Sequence, residues 1–359
     1  MKKIFISIAI GAFSTLAMAK LVMFIPNEAG SKYTIDTIDT IAVDCTGRAT
    51  TDRNALIAKI DAGEDVTDFD TQCITDFSEL FSYNRSGANQ DLIKNFNQDI
   101  GSWDVSSGTN FAYMFYAADA FNQDIGAWDV SNGTNFKFMF DHAGAFNQNI
   151  GAWDVSSGTN FSKMFRYAGA FNQDIRSWDV SSGTNFSGMF NRADAFNQDI
   201  GSWDVSSGTD FSYMFDHAAA FNQNIGAWDV SSGTNFSYMF NRAAAFNQDI
   251  GSWDVSSGTN FSKMFVNAAA FNQNIGAWDV SSGTNFSKMF YDVDAFNKDI
   301  HLWDVENAKS YSSFRLYSPL TSDNTPFKFG GSDQDSDGDG VSDHTEVYND
   351  TDPLDPASL

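Results

Sequence analysis

The residues with the most explicit chemistry lie near the C-terminal end, in the stretch DSDGDGVSDHTE, residues 335–346. Asp335, Asp337 and Asp339 alternate, Gly340 follows them, and Glu346 closes a span of twelve. This is the spacing D-x-D-x-D-G-x5-E, in which a hard cation is wrapped by oxygen ligands. The three alternating carboxylates supply the first ligands, and Gly340 permits the sharp turn. Val341 offers its backbone carbonyl, Asp343 binds directly or through water, and Glu346 can bind with both oxygens. So many carboxylates in so short a loop repel one another unless a cation joins them. The expected cofactor is a calcium ion, and the alternative is a solvated acidic tail. The preceding KFGGSDQ has no helical pattern, so a paired helix–loop–helix domain is not expected.

A second acidic array runs through the middle of the chain. Asp104, Asp129, Asp154, Asp179, Asp204, Asp229, Asp254 and Asp279 recur every 25 residues, each inside the tripeptide Trp-Asp-Val, with Asp304 as a ninth. If successive copies stack ~5 Å apart, each neighbouring pair repels by roughly 0.9 kcal/mol even at the dielectric of water. Two readings follow. Each Asp can accept hydrogen bonds from the Ser hydroxyls and amides of its own turn. Alternatively, the column is a line of sites for cations or basic ligands. A neighbouring column at Asp99, Asp124, Asn149 and onward mixes in Asn, which dilutes repulsion there.

The elements that hold these columns can be read from one unit, FNQNIGAWDVSSGTNFSKMFRYAGA, residues 146–170. Trp153 and Val155 are two apart and share one face of an extended strand, with Asp154 on the other. The spacing Ile150-x-x-Trp153-x-Val155 is that of leucine-rich repeats. Ser156, Ser157 and Gly158 read as a turn. Phe161, Met164, Phe165 and Ala168 then fall at helical spacing behind a capping Thr159 or Asn160. The expected fold class is therefore α/β: a leucine-rich-repeat-like solenoid of nine 25-residue coils, each a short parallel strand plus a short helix. One unit cannot bury its own aromatics, so the copies must stack. The Asn97, Asn122 and Asn147 column reads as a hydrogen-bonded ladder along that stack. Copies differ mainly on the side read as helical, at Tyr113, Phe138, Lys163, Gly188 and Lys263. The pairs Asp141-His142, Arg166-Tyr167 and Asn191-Arg192 vary as well.

Around this array the chain divides into residues 1–19, 20–95, 96–320 and 321–359. Lys2 and Lys3, the apolar IFISIAIGAFSTL and the small residues Ala17 and Ala19 read as a cleavable export signal. A short N-terminal anchor is the alternative, and no membrane span is expected in the mature chain. Residues 20–95 read as an N-terminal cap. They hold a degraded repeat, ITDFSELF at 74–81, and a helix over Asp52–Ile60 with Asp52 as its cap. The two cysteines, Cys45 and Cys73, both fall there and can pair in an oxidising compartment, or remain as free thiols. The acidic tail closes the chain.

A net charge of −25, from 46 acidic against 21 basic residues, disfavours nucleic acid. It favours solubility and cationic or basic partners. The histidines are His142, His217, His301 and His344, and none of them sits beside a nucleophile and an orienting group. The chain reads as non-catalytic.

The unit FNQDIGSWDVSSGTNFSYMF resembles the repeat of BspA-like leucine-rich-repeat surface proteins, in the form found in mycoplasma surface proteins of unknown function. The resemblance spans residues 52–315. It departs at Gly108 and Gly158, where the family usually has Val, and at Phe111 and Phe161, where it has Met. The tail, with Asp350, Asp352 and Asp355 beginning a second copy, resembles a thrombospondin type-3 calcium repeat. These resemblances imply a secreted or cell-surface protein, used in adhesion or protein–protein interaction, with an extracellular protein or glycan as partner. Two other readings remain open at this stage. One is a structural spacer or matrix component without a specific ligand. The other is a glycan or ice binder using the uniform strand face.

Overall fold

The computed structural model describes residues 22–26, 33–37, 43–330 and 354. The chain falls into two compact units, residues 1–47 and 48–359. In the first, β1 (Val22–Pro26) pairs antiparallel with β2 (Tyr33–Thr37), Val22 opposite Thr37 and Pro26 opposite Tyr33. The proposed export signal (residues 1–19) and the proposed calcium ligands Asp335, Asp337, Asp339, Val341, Asp343 and Glu346 lie outside the described residues. Cys45 and Cys73 are both disulfide-bonded.

The second unit opens with α1 (Arg48–Ala62), which buries Leu56 and Ile60. It begins one turn earlier than expected. Asp52 is therefore no cap but an interior residue, paired with Arg48 at 3.0 Å. A short α2 (Gln90–Lys94) follows, capped by Asn89.

The α/β reading of the repeats is overturned. From residue 95 to residue 326 the described chain contains neither a helix nor a strand, only turns and isolated parallel bridges between equivalent residues. The backbone of one coil shows why. The amides of Phe161, Lys163, Phe165 and Tyr167 donate to carbonyls of Asn185, Ser187, Met189 and Asn191 in the next coil, at 2.8–2.9 Å. The intervening amides of Met164, Arg166 and Ala168 turn back to Phe161, Lys163 and Phe165. The Ser162 amide is taken by Asn160 Oδ1 at 3.0 Å. Every amide is thus satisfied, alternately forward and backward. Lys163 and Tyr167 take left-handed backbone, at φ 56° and 58°. Two left-handed residues four apart end a helix and a strand alike. The helical spacing nevertheless marked the correct face: Phe161, Met164, Phe165 and Ala168 are all buried.

The expected strand around Trp-Asp-Val is replaced by a turn with a side-chain tie. The Ile125 carbonyl accepts the amide of Trp128 at 3.1 Å and the indole N–H of Trp153, one coil on, at 3.0 Å. Both lone pairs of one carbonyl are used, which explains why Ile and Trp keep their spacing. The same indole bond recurs along the stack at 2.9–3.1 Å. From Trp103 to Trp203 and from Trp228 to Trp303, successive rings lie 6.2–6.4 Å apart, nearly parallel. A column of Phe from Phe115 to Phe290 stacks beside them at 5.5–5.8 Å. On the other flank the Asn ladder forms as read. Each backbone N–H from Asn122 to Asn272 donates to the Oδ1 of the Asn one coil back, at 2.9–3.0 Å.

One pair of departures from the family pattern is a single packing solution. A Cβ placed on Gly158 would lie 2.4 Å from Phe161 Cζ. The aromatic ring occupies the space the missing side chain leaves. In the last copy, where Ala308 replaces this glycine, the equivalent aromatic, Tyr311, is exposed.

Both ends of the stack are closed. The carbonyls of Asp76 and Ser78 have no earlier coil to bond, and Arg53 on α1 donates to both, at 2.8 and 2.6 Å. At the far end a 3₁₀ turn, Phe327–Phe329, sets Phe329 against Phe286, Tyr311 and Phe314.

Candidate functional site

Two surfaces follow from this architecture, and they use their polar groups differently. On the uniform face, Asp104, Asp129, Asp154, Asp179, Asp204, Asp229, Asp254 and Asp279 each accept the amide of the Ser two residues on, at 2.9–3.1 Å. Where the Ser hydroxyl also donates, as at Asp104, Asp129, Asp154, Asp229 and Asp254, it does so at 2.6 Å. The Ser hydroxyls and amides hold the carboxyls of Asp179, Asp204 and Asp254 below the usual carboxylate range. Thr hydroxyls from Thr134 to Thr284 donate to the Thr carbonyl of the preceding coil at 3.0–3.2 Å. Among the described residues, no three His, Cys, Asp or Glu side chains converge as a metal group would need. This face satisfies itself.

The variable face is built on the two left-handed columns. One contains Tyr113, Phe138, Lys163, Gly188, Tyr213, Tyr238, Lys263 and Lys288, and the other His142, Tyr167, Arg192, His217 and Arg242. Left-handed backbone costs a residue with a Cβ roughly 1–2 kcal/mol, yet only Gly188 avoids it among these positions. The side chains interlock instead. Tyr113 stacks on Phe138 at 4.4 Å and Tyr213 on Tyr238 at 4.3 Å. Lys163 lies 5.0 Å over Phe138, Arg192 5.2 Å over Tyr167, and Lys263 4.6 Å over Tyr238. Such contacts contribute about 0.5–1 kcal/mol each at exposed sites. Between residues 96 and 290 every Lys and Arg except Arg176 falls on this face.

Two buried aspartates anchor it. Asp141 is fully buried and takes a forked bond from the Arg166 guanidinium, at 2.7–3.1 Å, and a bond from His142 at 2.7 Å. Burial pushes its carboxyl above the ordinary value, against the pull of Arg166 and His142. Asp216 accepts from Asn191 and Asn241 at 2.7 Å and from His217 Nδ1 at 2.6 Å. The other nitrogen of His217 faces Arg192 and Arg242, each at 3.3 Å.

Where Gly188 interrupts the column, a cleft of about 410 Å³ opens. It is lined by Lys163, Arg166, Tyr167, Gly188, Asn191, Arg192, Tyr213 and Asp216. The variation at Lys163, Gly188, Arg166-Tyr167 and Asn191-Arg192 was legible in the sequence. The closing wall, Tyr213 and Asp216, was not, because helical spacing does not place a left-handed Tyr two coils from Lys163.

Fold and surface together define a repeat protein whose 25-residue units share one aromatic core and differ along one face. The chain belongs to the family described as Mycoplasma protein of unknown function, DUF285, which it matches over residues 51–168, 145–244 and 224–321. The resemblance to the mycoplasma-type surface repeat holds at the level of that family, and the match ends before residues 335–346. No curated protein and no solved structure matches the chain. No helix among the described residues is long and apolar enough to cross a membrane.

Proposed function

We propose that this is a non-catalytic binding protein acting at or outside the cell surface, and that its variable face engages an acidic partner, protein or glycan. The observation that carries the reading is the segregation of charge. In a chain of net charge −25, the cations of the repeats gather with aromatics on the columns that change from coil to coil. The uniform face, by contrast, bonds its carboxylates and hydroxyls internally, which argues against it as the ligand surface. Membership in the family is compatible with this role. The test is retention of the full chain on immobilised polyglutamate against polylysine at rising salt. Retention on polyglutamate that weakens with salt is expected. Retention on polylysine alone would overturn the acidic-partner reading. Failure to bind either polymer, or cells and matrix, would favour a spacer.

We further propose that the tail binds a calcium ion through Asp335, Asp337, Asp339, Val341, Asp343 and Glu346. The support is the donor set, all oxygen and at the spacing a hard cation requires. Calorimetry should show calcium binding that Asp337→Ala with Glu346→Ala abolishes. No binding by the unaltered chain would contradict it. Export through a cleaved signal rests on Lys2, Lys3 and the apolar run that follows. An N-terminus beginning at Lys20 in the mature protein is the expected result.

A further inference from the structure

Gly188 is the only glycine in its column from Glu79 to Ser313. Its neighbours in register are Lys163 and Tyr213, so the ladder of side chains has one missing rung. Only the flexible Lys163 side chain leans into the space: a Cβ on Gly188 would meet Lys163 Cγ at 2.9 Å and displace it, while the next neighbours lie at 3.7 Å or beyond. The resulting cleft, about 410 Å³, lies within the range of small-ligand pockets, about 300–1,000 Å³.

Its walls combine three kinds of group. Lys163 and Arg192 bring positive charge, and among the described residues neither forms an ion pair with a carboxylate. Tyr167 and Tyr213 bring aromatic rings that are 39% and 37% exposed. Asn191 and Asp216 bring a buried polar edge. An ionised carboxylate has about four acceptor positions. Asp216 uses three, for Asn191, Asn241 and His217. The fourth suits a hydroxyl donor and repels a bare anion. The occupant must therefore carry a carboxylate for Lys163 and Arg192, a hydroxyl for Asp216, and a flat C–H face for the rings, whose faces are electronegative. An acidic peptide side chain supplies the first but not the other two. We infer that the Gly188 cleft is a subsite for an acidic sugar, a pyranose bearing a carboxylate. This rests on the variable face being the binding surface.

The experiment is calorimetry of the full chain with an oligogalacturonate, its methyl ester and polyglutamate. Oligogalacturonate should bind, and esterification should weaken it at least tenfold, since the ester keeps ring and hydroxyls but loses the charge. Lys163→Ala with Arg192→Ala should cost a similar factor, whereas Lys288→Ala, outside the cleft, should not. Gly188→Tyr restores the missing rung with a residue that already occupies the same left-handed position at 113, 213 and 238. It should abolish binding while the tryptophan near-UV signal of the folded stack persists. Equal affinity for acid and ester, or unchanged affinity in Gly188→Tyr, would overturn the subsite. Binding of polyglutamate without oligogalacturonate, lost in Lys288→Ala but not in Lys163→Ala, would overturn the subsite and leave the face reading standing. Binding of none of the three would overturn both.

Discussion

The aspartates of the two faces behave in opposite ways. Asp179, Asp204 and Asp254 sit in the open, bonded to their own turns, and are more acidic than an ordinary carboxyl. Asp141 sits inside the variable face, bonded to Arg166 in the next coil, and burial makes it less acidic. The first group is closed within its own turn and needs no neighbouring coil. The second ties neighbouring coils together and depends on what the neighbour supplies. The difference explains why the Trp-Asp-Val turn is nearly identical in every copy while the 141–142 position is Tyr-Ala, Asp-His, Arg-Tyr, Asn-Arg, Val-Asn or Tyr-Asp along the chain. Where backbone and turn do the holding, one solution repeats. Where left-handed backbone presents side chains outward, contacts are made pairwise and each pair can differ.

The comparison breaks most severely if the shared core is cut. Trp203→Ala removes a stacked ring and the indole bond to the Ile175 carbonyl. It should cost about 4–5 kcal/mol in urea unfolding. Trp203→Phe keeps a ring and should cost about 1–2 kcal/mol, mostly the lost hydrogen bond. Similar losses in both variants would mean that the indole bond, and not the stacked ring, holds the stack. On the variable face, Arg166→Ala leaves Asp141 buried without its cation and should cost about 3 kcal/mol, the low end for a broken buried pair because Arg166 is a quarter exposed. Asp141→Asn in the same background should recover most of it.

Next in size is the glycine–phenylalanine pair. Gly158→Ala forces a methyl into the Phe161 ring and should cost about 2 kcal/mol. Gly158→Val with Phe161→Met, the pairing usual in the family, should cost less than the sum of the single changes. Additive losses would show that the two positions are independent. The smallest effect concerns acid. The lowered carboxyls of Asp179, Asp204 and Asp254 stabilise the fold above their ordinary value of 3.8, and that contribution is lost as pH falls below it. Asp141, raised by burial, has the opposite sign: its contribution falls as pH rises from 3.8 through its folded value. Replacing the three exposed residues by Asn should flatten the acid limb of urea stability between pH 5 and pH 3. Asp141→Asn should steepen it.

The sequence disclosed the period, the buried set and the positions that vary. Phe161, Met164, Phe165 and Ala168 are buried as their spacing implies, and Asp154 is exposed between Trp153 and Val155. What it concealed was conformation. Spacing reports which side chains share a face, and a chain of alternating turns can place the same four on one face as a helix does. Nothing in the side chains of Lys163 or Tyr167 announces left-handed backbone, since neither is Gly or Asn. The indole-to-carbonyl tie was hidden for a similar reason: I-x-x-W-x-V fits a strand as well as a turn. The lone Gly188 was visible, but its meaning depended on knowing that Lys163 and Tyr213 flank it.

The central claim is that the aromatic core and its coil-to-coil bonds hold the stack, while the variable face binds. It is tested most directly by a single variant, Lys163→Ala, Arg192→Ala, Lys263→Ala and Lys288→Ala together, measured for both melting and retention on polyglutamate. The account predicts that affinity falls more than tenfold while the midpoint of thermal unfolding moves by no more than about 5 °C. Retention equal to that of the unaltered chain, or a protein that no longer folds, would contradict it.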